Sequence, residues 1–499
     1  MSQEELGKSL NEIIKHRLEK LSMIRKLGYN PYQYVFNRTH SCKSILENYD
    51  DLKESVDVSV AGRLMSVRRM GRASFAHIQD QSGRLQIYIQ ENKVGKTQYK
   101  LFSYLDIGDI IGVTGKVFKT KTGETTVFVE KLEILTKNIR PLPVVKEKEG
   151  KVFDAFTDKE QRYRQREVDL NVNPHVRDIF VLRSKIIGWT RDFFVEHGYL
   201  EVETPILQPV YGGAAARPFK TYYNALDQVY YLRIALEIYL KRLIVGGYEK
   251  VFEIGKTFRN EGIDRNHNPE FTLLEFYETY VDYYYMMDFV EKYFKYIASK
   301  VGKSTYRFEG HDIDIMKKFN RVKLFDLLNS EIGEDLYKAD VAKLRKICDE
   351  RNIEYKPEWE RGKLIDELFK EFVEPKLIQP TFVMDYPVEI SPFAKPARDG
   401  REGIVERFEL FIGGQEFANS FSELNDPLDQ RSRMERQKRL KDKGDEEATD
   451  IDKDFLVAME YGMPPTGGVG IGMDRVVMLF TEQKSIRDVI FFPQLRSLE

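Results

Sequence analysis

"VFEIGKTFRNEGIDRNHNPEFTLLEFYETYV", residues 251–281, decides the fold. An alternating run ends at Arg259, polar, glycine and proline positions fill 260–269, and a second, aromatic-rich run follows. That pattern predicts a strand at 251–259, a loop, and an antiparallel return strand at 270–281. Side chains alternate along a strand, so Phe271, Leu273, Glu275 and Tyr277 share one face. Glu275 is the odd member. A buried carboxylate without a partner is costly and tends to take a proton, so its presence implies a cationic partner. Glu237 in "RIALEIYL" and Glu423 in "NSFSELND" sit among apolar residues in the same way. Three acids converging with Tyr277 and Asn419 on one cavity suit an ammonium group. The alternative is an ordinary structural salt bridge to a neighbouring arginine such as Arg233.

Outward from this hairpin, 176–197 has the spacing of a long helix stopped by Gly198, followed by "GYLEVETPIL" at 198–207. Near the end, "GGVGIGMDRVVMLF" at 467–480 reads as a glycine-rich turn feeding a helix with Arg475 in its first turn. Glu409 and Glu416, in "ERFELFIGGQEFANS", fall on adjoining strands. Residues 176–499 therefore form an α+β domain, with a helical insertion at about 320–375, rich in Leu, Lys and Glu at helical spacing.

The N-terminal part has a different period. Apolar residues from Leu10 to Leu27 recur at helical spacing, closed by Gly28 and Pro31, within a lead-in of 1–54. Five short β-rich runs between 55 and 139 predict a five-stranded OB barrel. A Pro-rich, then charge-dense, stretch at 140–175 reads as a linker, and 431–454 as a solvated charged helix and loop. Between Asp57 and Asp80 there is no acid, whereas Arg63, Arg68, Arg69, Arg72 and His77 cluster with Phe75. Guanidinium groups neutralise phosphates and an exposed ring stacks on a base, which is how such barrels hold single strands. The competing reading makes Phe75 barrel core and the arginines mere solubilising charge.

With 499 residues, 42% hydrophobic and 32% charged, the chain is long enough for two or three domains. Its net charge of −2 draws neither nucleic acid nor membrane to the whole surface, so a polyanion must meet a local basic patch. Cys42 and Cys348 are too few for a disulfide framework or a thiolate zinc site. No apolar run reaches about 18 residues and the first residues lack a signal-peptide core, so a cytoplasmic protein with no membrane partner is expected.

The hairpin, the long helix with its short strand, and the glycine-rich segment with its helix resemble motifs 2, 1 and 3 of the class II aminoacyl-tRNA synthetases. The OB barrel ahead of them is similar to subgroup IIb, which charges lysine, aspartate or asparagine. "GGAAARPF", "RNEGIDRNHNPEFT" and "FANSFSELNDP" resemble the lysyl-tRNA synthetase pattern in particular. The resemblance implies a catalytic domain built on an antiparallel sheet flanked by helices. It implies activation of L-lysine by ATP to lysyl-adenylate, then transfer to the 3′ end of tRNA(Lys). The motif 1 helix implies a homodimer, and the only cofactor implied is Mg2+, as many as three ions with the ATP.

Residue by residue, the resemblance makes Arg259 and Arg475 catalytic, Arg259 at the α-phosphate and Arg475 near the γ-phosphate. It adds Glu261, His267, Asn268, Phe271, Glu416, Phe417, Gly472 and Asp474 to the ATP site, with Phe271 stacked on adenine. Gly213, Glu237, Glu275, Tyr277, Asn419 and Glu423 would bind lysine, Glu409 and Glu416 the metal, and Arg68, Phe75 and Gln86 the anticodon. One departure stands out: Leu236 replaces the proline usual in that family's Ala-Pro-Glu, which is expected to relax the turn before Glu237 without removing a polar contact. Rival readings are an aspartyl or asparaginyl synthetase of the same subgroup, a paralogue that transfers lysine to a protein, and an RNA-binding relic.

Overall fold

The computed structural model describes residues 3–53, 56–143, 146–148, 151–153, 156–442 and 449–497. The chain divides into two compact units, residues 1–162 with 167–172, and residues 163–166 with 173–499. Parts of the expected linker (144–145, 149–150 and 154–155), of the boundary at 54–55 and of the charged run (443–448) lie outside the described residues.

In the first unit, strands β1 (Asp57–Met70), β2 (Ala73–Gln79), β3 (Arg84–Gln90), β4 (Ile110–Lys119) and β5 (Thr125–Thr136) close into a barrel in the order β1-β2-β3-β5-β4. Inward residues such as Val58, Val60, Ile78, Ile87, Val113 and Val127 are fully buried, as the alternation requires. A helix at Glu91–Ser103, not anticipated from the sequence, lies between β3 and β4. The N-terminal helix, Gln3–Lys26, buries Leu21 and Ile24. Its Arg17 guanidinium donates to the Ile107 carbonyl at 3.0 Å, and Lys20 pairs with Asp106 at 2.5 Å, so it packs on its own unit. Two further helices, Lys159–Arg164 and Arg166–Val172, occupy the end of the stretch read as linker.

The second unit is built on an eight-stranded sheet in the order Asn320–Lys323, Thr381–Pro387, Ile404–Ile412, Gln415–Ser422, Thr466–Gly472, Glu270–Thr279, Lys250–Phe258, Leu200–Glu201. Pairing is antiparallel throughout except at the two edges. One face is covered by helices Pro174–Glu196, Tyr283–Val301 and Met473–Thr481, and Phe193, Phe194, Phe252, Phe276, Tyr293 and Val477 fill the space between. Pro174 opens the first of these helices, where its missing N–H costs nothing, and Gly198 at φ +80° ends it. Asp282 caps the second by accepting from the Tyr284 and Tyr285 amides at 3.1 Å. The opposite face carries polar side chains and is the floor of a cavity.

Helices Leu324–Ile332, Val341–Glu350 and Arg361–Phe372 form the helical insertion over a core of their own that reaches Val383 and Phe411 of the sheet. The glycine-rich segment differs from expectation. Residues 466–472 are a central strand rather than a turn, because Gly468, Gly470 and Gly472 alternate with the buried Val469 and Ile471. The apolar residues supply the core face, and the glycines leave the other face bare.

Candidate active site

Register across the sheet explains which side chains meet. Glu253 pairs with Glu275, Glu275 with Gly470, Gly470 with Asn419, and Asn419 with Glu409, so a single rung carries four polar side chains around one glycine. The next rung runs Tyr277, Gly468, Phe421, Arg407. Residues directly opposite one another project to the same side. Hence Phe271, Leu273, Glu275 and Tyr277 line a cavity of about 1750 Å³ together with Gly468, Gly470 and Gly472.

Every residue assigned above to ATP, lysine or metal lines this one cavity. Arg259 stands at the end of its strand with the guanidinium 5.2 Å from the Phe271 ring centroid. His267 is held by Asp264, 2.9 Å away, and Asn268 accepts from the Gln494 amide at 3.2 Å. Glu261 lies on the same loop. Arg475 donates to the Glu416 carbonyl. Gly472 precedes the helix Met473–Thr481. Asp474 has both oxygens engaged, one accepting from the Thr272 amide at 2.7 Å and the other 2.7 Å from Arg183, so it ties helix to strand. Phe417 turns its ring into the core against Phe308.

One end of the cavity is built from buried acids. Glu237, Glu275 and Glu423 are 5%, 4% and 1% exposed. Glu275 accepts from the Leu236 amide at 2.9 Å and from the Tyr277 hydroxyl at 3.2 Å, and burial together with the charge of Glu237 pushes its pKa up to about 8. Burial likewise raises Glu423 to about 8 against the opposing pull of Lys241. Glu423 Oε1 has no hydrogen-bond partner among the described residues. Gly213, at φ +86°, passes so close to Glu237 that an added Cβ would stand 3.0 Å from the Glu237 Cβ.

One alternative reading fails here and one expectation changes. Arg233 does not pair with the pocket acids; it binds Glu253 at 2.6 Å, which also accepts from Thr204. Leu236 does more than relax a turn, because its N–H holds Glu275, a contact that proline has no hydrogen to make. The cation missed by the sequence reading is Lys241, one helical turn after Glu237 and paired with both Glu237 and Glu423. Its spacing from Glu237 was the available signal. Arg407 was also missed: it donates to Asn419 Oδ1 at 3.2 Å and pairs with Glu409.

At the other end, burial raises Glu409 to about 7, with Arg407 opposing and Glu416 adding to the rise. Burial, then the charges of Glu416 and Glu409, raise Glu374 to about 7. Acids crowded in this way favour a cation. Among the described residues no three donors already form a metal cage. Carboxylates such as those of Glu409 and Glu416 are the hard oxygen donors that Mg2+ takes alongside phosphate oxygens and water.

On the barrel, Phe75 is not core. It is half-buried on the outer face beside Tyr88, with ring centroids 4.5 Å apart, and Phe118 and Phe128 extend the patch. Exposed Arg68 lies opposite Phe75 across β1 and β2. Gln86 faces outward, opposite His77, donating to Glu124 at 2.6 Å and accepting from Thr126. Arg63 instead donates to the Gly108 carbonyl.

An antiparallel sheet with a nucleotide-sized cavity on one face, accompanied by an OB barrel, defines a class II synthetase. Residues 158–496 match the family described as tRNA synthetases class II (D, K and N), and 58–135 match the OB-fold nucleic acid binding domain. The lysine–tRNA ligase of Carboxydothermus hydrogenoformans is 52% identical over 98% of each chain. That of Moorella thermoacetica is 50% identical over 98% of this chain and 99% of its own. That of Porphyromonas gingivalis is 50% identical over 96% of this chain and 85% of its own. The chain belongs to the lysine–tRNA ligase family of class II tRNA synthetases.

Proposed function

We propose that this ATP-dependent ligase activates L-lysine to lysyl-adenylate and pyrophosphate and transfers the lysyl group to the 3′ end of tRNA(Lys), with the roles distributed as follows. Glu423 and Tyr277 receive the ε-ammonium, while Glu237, Glu275 and Asn419 orient the α-amino end beneath Gly213. The lysine carboxylate attacks the α-phosphorus in line. Negative charge develops on the phosphoryl oxygens, and Arg259 meets it as a fixed cation, a form of stabilisation that needs no proton shuttle. Phe271 and Arg475 flank the adenine, and Glu261, His267 and Asn268 hold the phosphates and base. Glu409 and Glu416 would hold Mg2+, which would supply neutralisation of phosphate charge.

The observation that carries the amino-acid assignment is the unpartnered oxygen of Glu423 in a pocket of buried acids. A substrate with a second carboxylate, aspartate for example, would be repelled there. ATP–pyrophosphate exchange with single amino acids tests it. Exchange should depend on lysine, with aspartate and asparagine inert; exchange driven by either of these overturns the assignment.

For the barrel, Phe75 stacking on an anticodon base, Gln86 reading its edge and Arg68 on phosphate is the reading favoured by the half-exposed aromatic patch and its neighbouring arginine. The homodimer reading is supported by apolar side chains exposed along the motif 1 segment, Val181, Val195, Leu200, Ile206 and Leu207. A cytoplasmic setting accords with two free, buried cysteines. Among the described residues no helix is long and apolar enough to cross a membrane.

A further inference from the structure

Lys241 is 1% exposed, yet it lies one residue layer from the amino-acid end of the cavity. Its ammonium contacts Glu237 Oε1, stands 2.5 Å from Glu423 Oε2, and lies 4.7 Å from the centroid of the Phe393 ring. Glu237, Glu423 and Phe393 line the cavity and Lys241 does not. It therefore stands behind the carboxylates, with the cavity on their far side. We propose that Lys241 is a positioning residue for the amino-acid substrate: its ammonium bridges Glu237 and Glu423 from behind and favours their ionised forms as receptors, Glu423 for the ε-ammonium and Glu237 for the α-amino end. The inference rests on the reading of Glu423 as a lysine-binding residue.

Charge and geometry carry it. Three buried carboxylates, those of Glu237, Glu275 and Glu423, share the pocket, and without an internal cation they would discharge one another by taking protons. The bridge consumes one oxygen of Glu423 and leaves Oε1 directed at Gly468 and Tyr277, where an added Cβ on Gly468 would lie 2.1 Å from it. Position is thereby fixed as well as charge. Burial opposes the charge on Lys241, but Glu237 and Glu423 outweigh it and hold its pKa above the ordinary value.

The groups facing this cluster come from several elements. Glu237 is on the same helix, Glu275 and Tyr277 are on the strand Glu270–Thr279, Glu423 follows the strand Gln415–Ser422, and Arg407 on Ile404–Ile412 acts on Glu237. Asp452, the N-cap of the helix Lys453–Glu460, and Asp454 in its first turn act on Tyr239 instead.

The test is pyrophosphate exchange from pH 6 to 9 with Lys241→Met, Lys241→Gln, Lys241→Arg and Glu423→Ala, each checked for folding by thermal melting. Either neutral variant that folds should raise KM for lysine at least roughly tenfold at pH 7 with KM for ATP nearly unchanged. It should also move the acidic limb of kcat/KM for lysine to higher pH, and Lys241→Arg should restore that limb. Wild-type lysine KM and limb in a folded neutral variant overturn the proposal. So does an equal loss for lysine and ATP with the limb unmoved, which marks a purely structural lysine. Should both neutral variants fail to fold, Lys241→Arg decides: a wild-type limb with a raised lysine KM supports positioning, and unchanged lysine KM overturns it. Unchanged lysine KM in Glu423→Ala refutes the underlying site reading, whereas a raised one beside unaffected Lys241 variants refutes only the role of Lys241.

Discussion

Glu275 illustrates why an acid is kept inside a strand. Its neighbours exclude water, its oxygens accept from a backbone amide and a phenol, and burial still pushes its pKa up to about 8. Burial raises Glu423 likewise, against the pull of Lys241. Glu275 has no such bridge, so burial favours a proton on it in the empty pocket, and an arriving ammonium favours its ionised form. Lysine binding at pH 7 should release up to about one proton, seen as a dependence of the calorimetric heat on buffer ionisation enthalpy, and release should fade as pH rises past about 9. No release at pH 7 would show that the acids are already ionised. The stability linkage has the matching sign. Folded-state pKa values raised above the ordinary carboxylate value contribute stability that is complete below that value and lost as pH rises through about 8. The empty protein should melt lower at pH 9 than at pH 6 through these groups, and saturating lysine should narrow the difference.

Among the elements, the strand Thr466–Gly472 matters most for the shape of the pocket. Its alternation was visible in "GGVGIG", but a run of glycines ordinarily signals a turn, and only pairing with strands on both sides turns it into a floor. An alanine at 468 would place its Cβ 2.4 Å from the Tyr277 ring as well as against Glu423, while one at 470 would meet only an ordinary contact of 3.6 Å with Glu275. Gly468→Ala should raise KM for lysine by on the order of 10-fold or more, and Gly470→Ala by much less, in exchange assays at fixed ATP. Equal effects would mean that the glycines serve the backbone alone.

The hairpin at 250–279 was legible because its period and its polar loop are local properties of the sequence. The partners of the acids were not. Arg233 is nearer in sequence to Glu237 than Arg407 is, yet Arg233, just past the strand Gln228–Leu232, pairs with Glu253, and the Leu236 amide reaches Glu275 only because the helix start abuts the strand. Lys241 lay in plain view at helical spacing from Glu237, but its second partner, Glu423, is remote in sequence.

For the whole molecule, the proposed recognition of two substrates is divided between units with different chemistry: an acid-lined cavity on a sheet, and an aromatic patch with arginines on a barrel. Phe75→Ala should leave lysine-dependent exchange unchanged and weaken aminoacylation of tRNA(Lys) by roughly 10-fold or more, since a stacked base contributes about 1–3 kcal/mol. Unchanged aminoacylation would remove Phe75 from the RNA-binding surface. The family as a whole was legible because three segments, each weak alone, occur in order with a barrel ahead of them. What stayed out of reach was the electrostatic balance of the pocket, which depends on distances no spacing encodes.

The central claim is that buried carboxylates select a cationic side chain. Norleucine, which has a methyl group in place of lysine's aminomethyl terminus, isolates that interaction. In ATP–pyrophosphate exchange, kcat/KM for norleucine should fall below that for lysine by ~10⁴, because the pocket's acids would be left without their cation. Comparable values for the two would contradict the account.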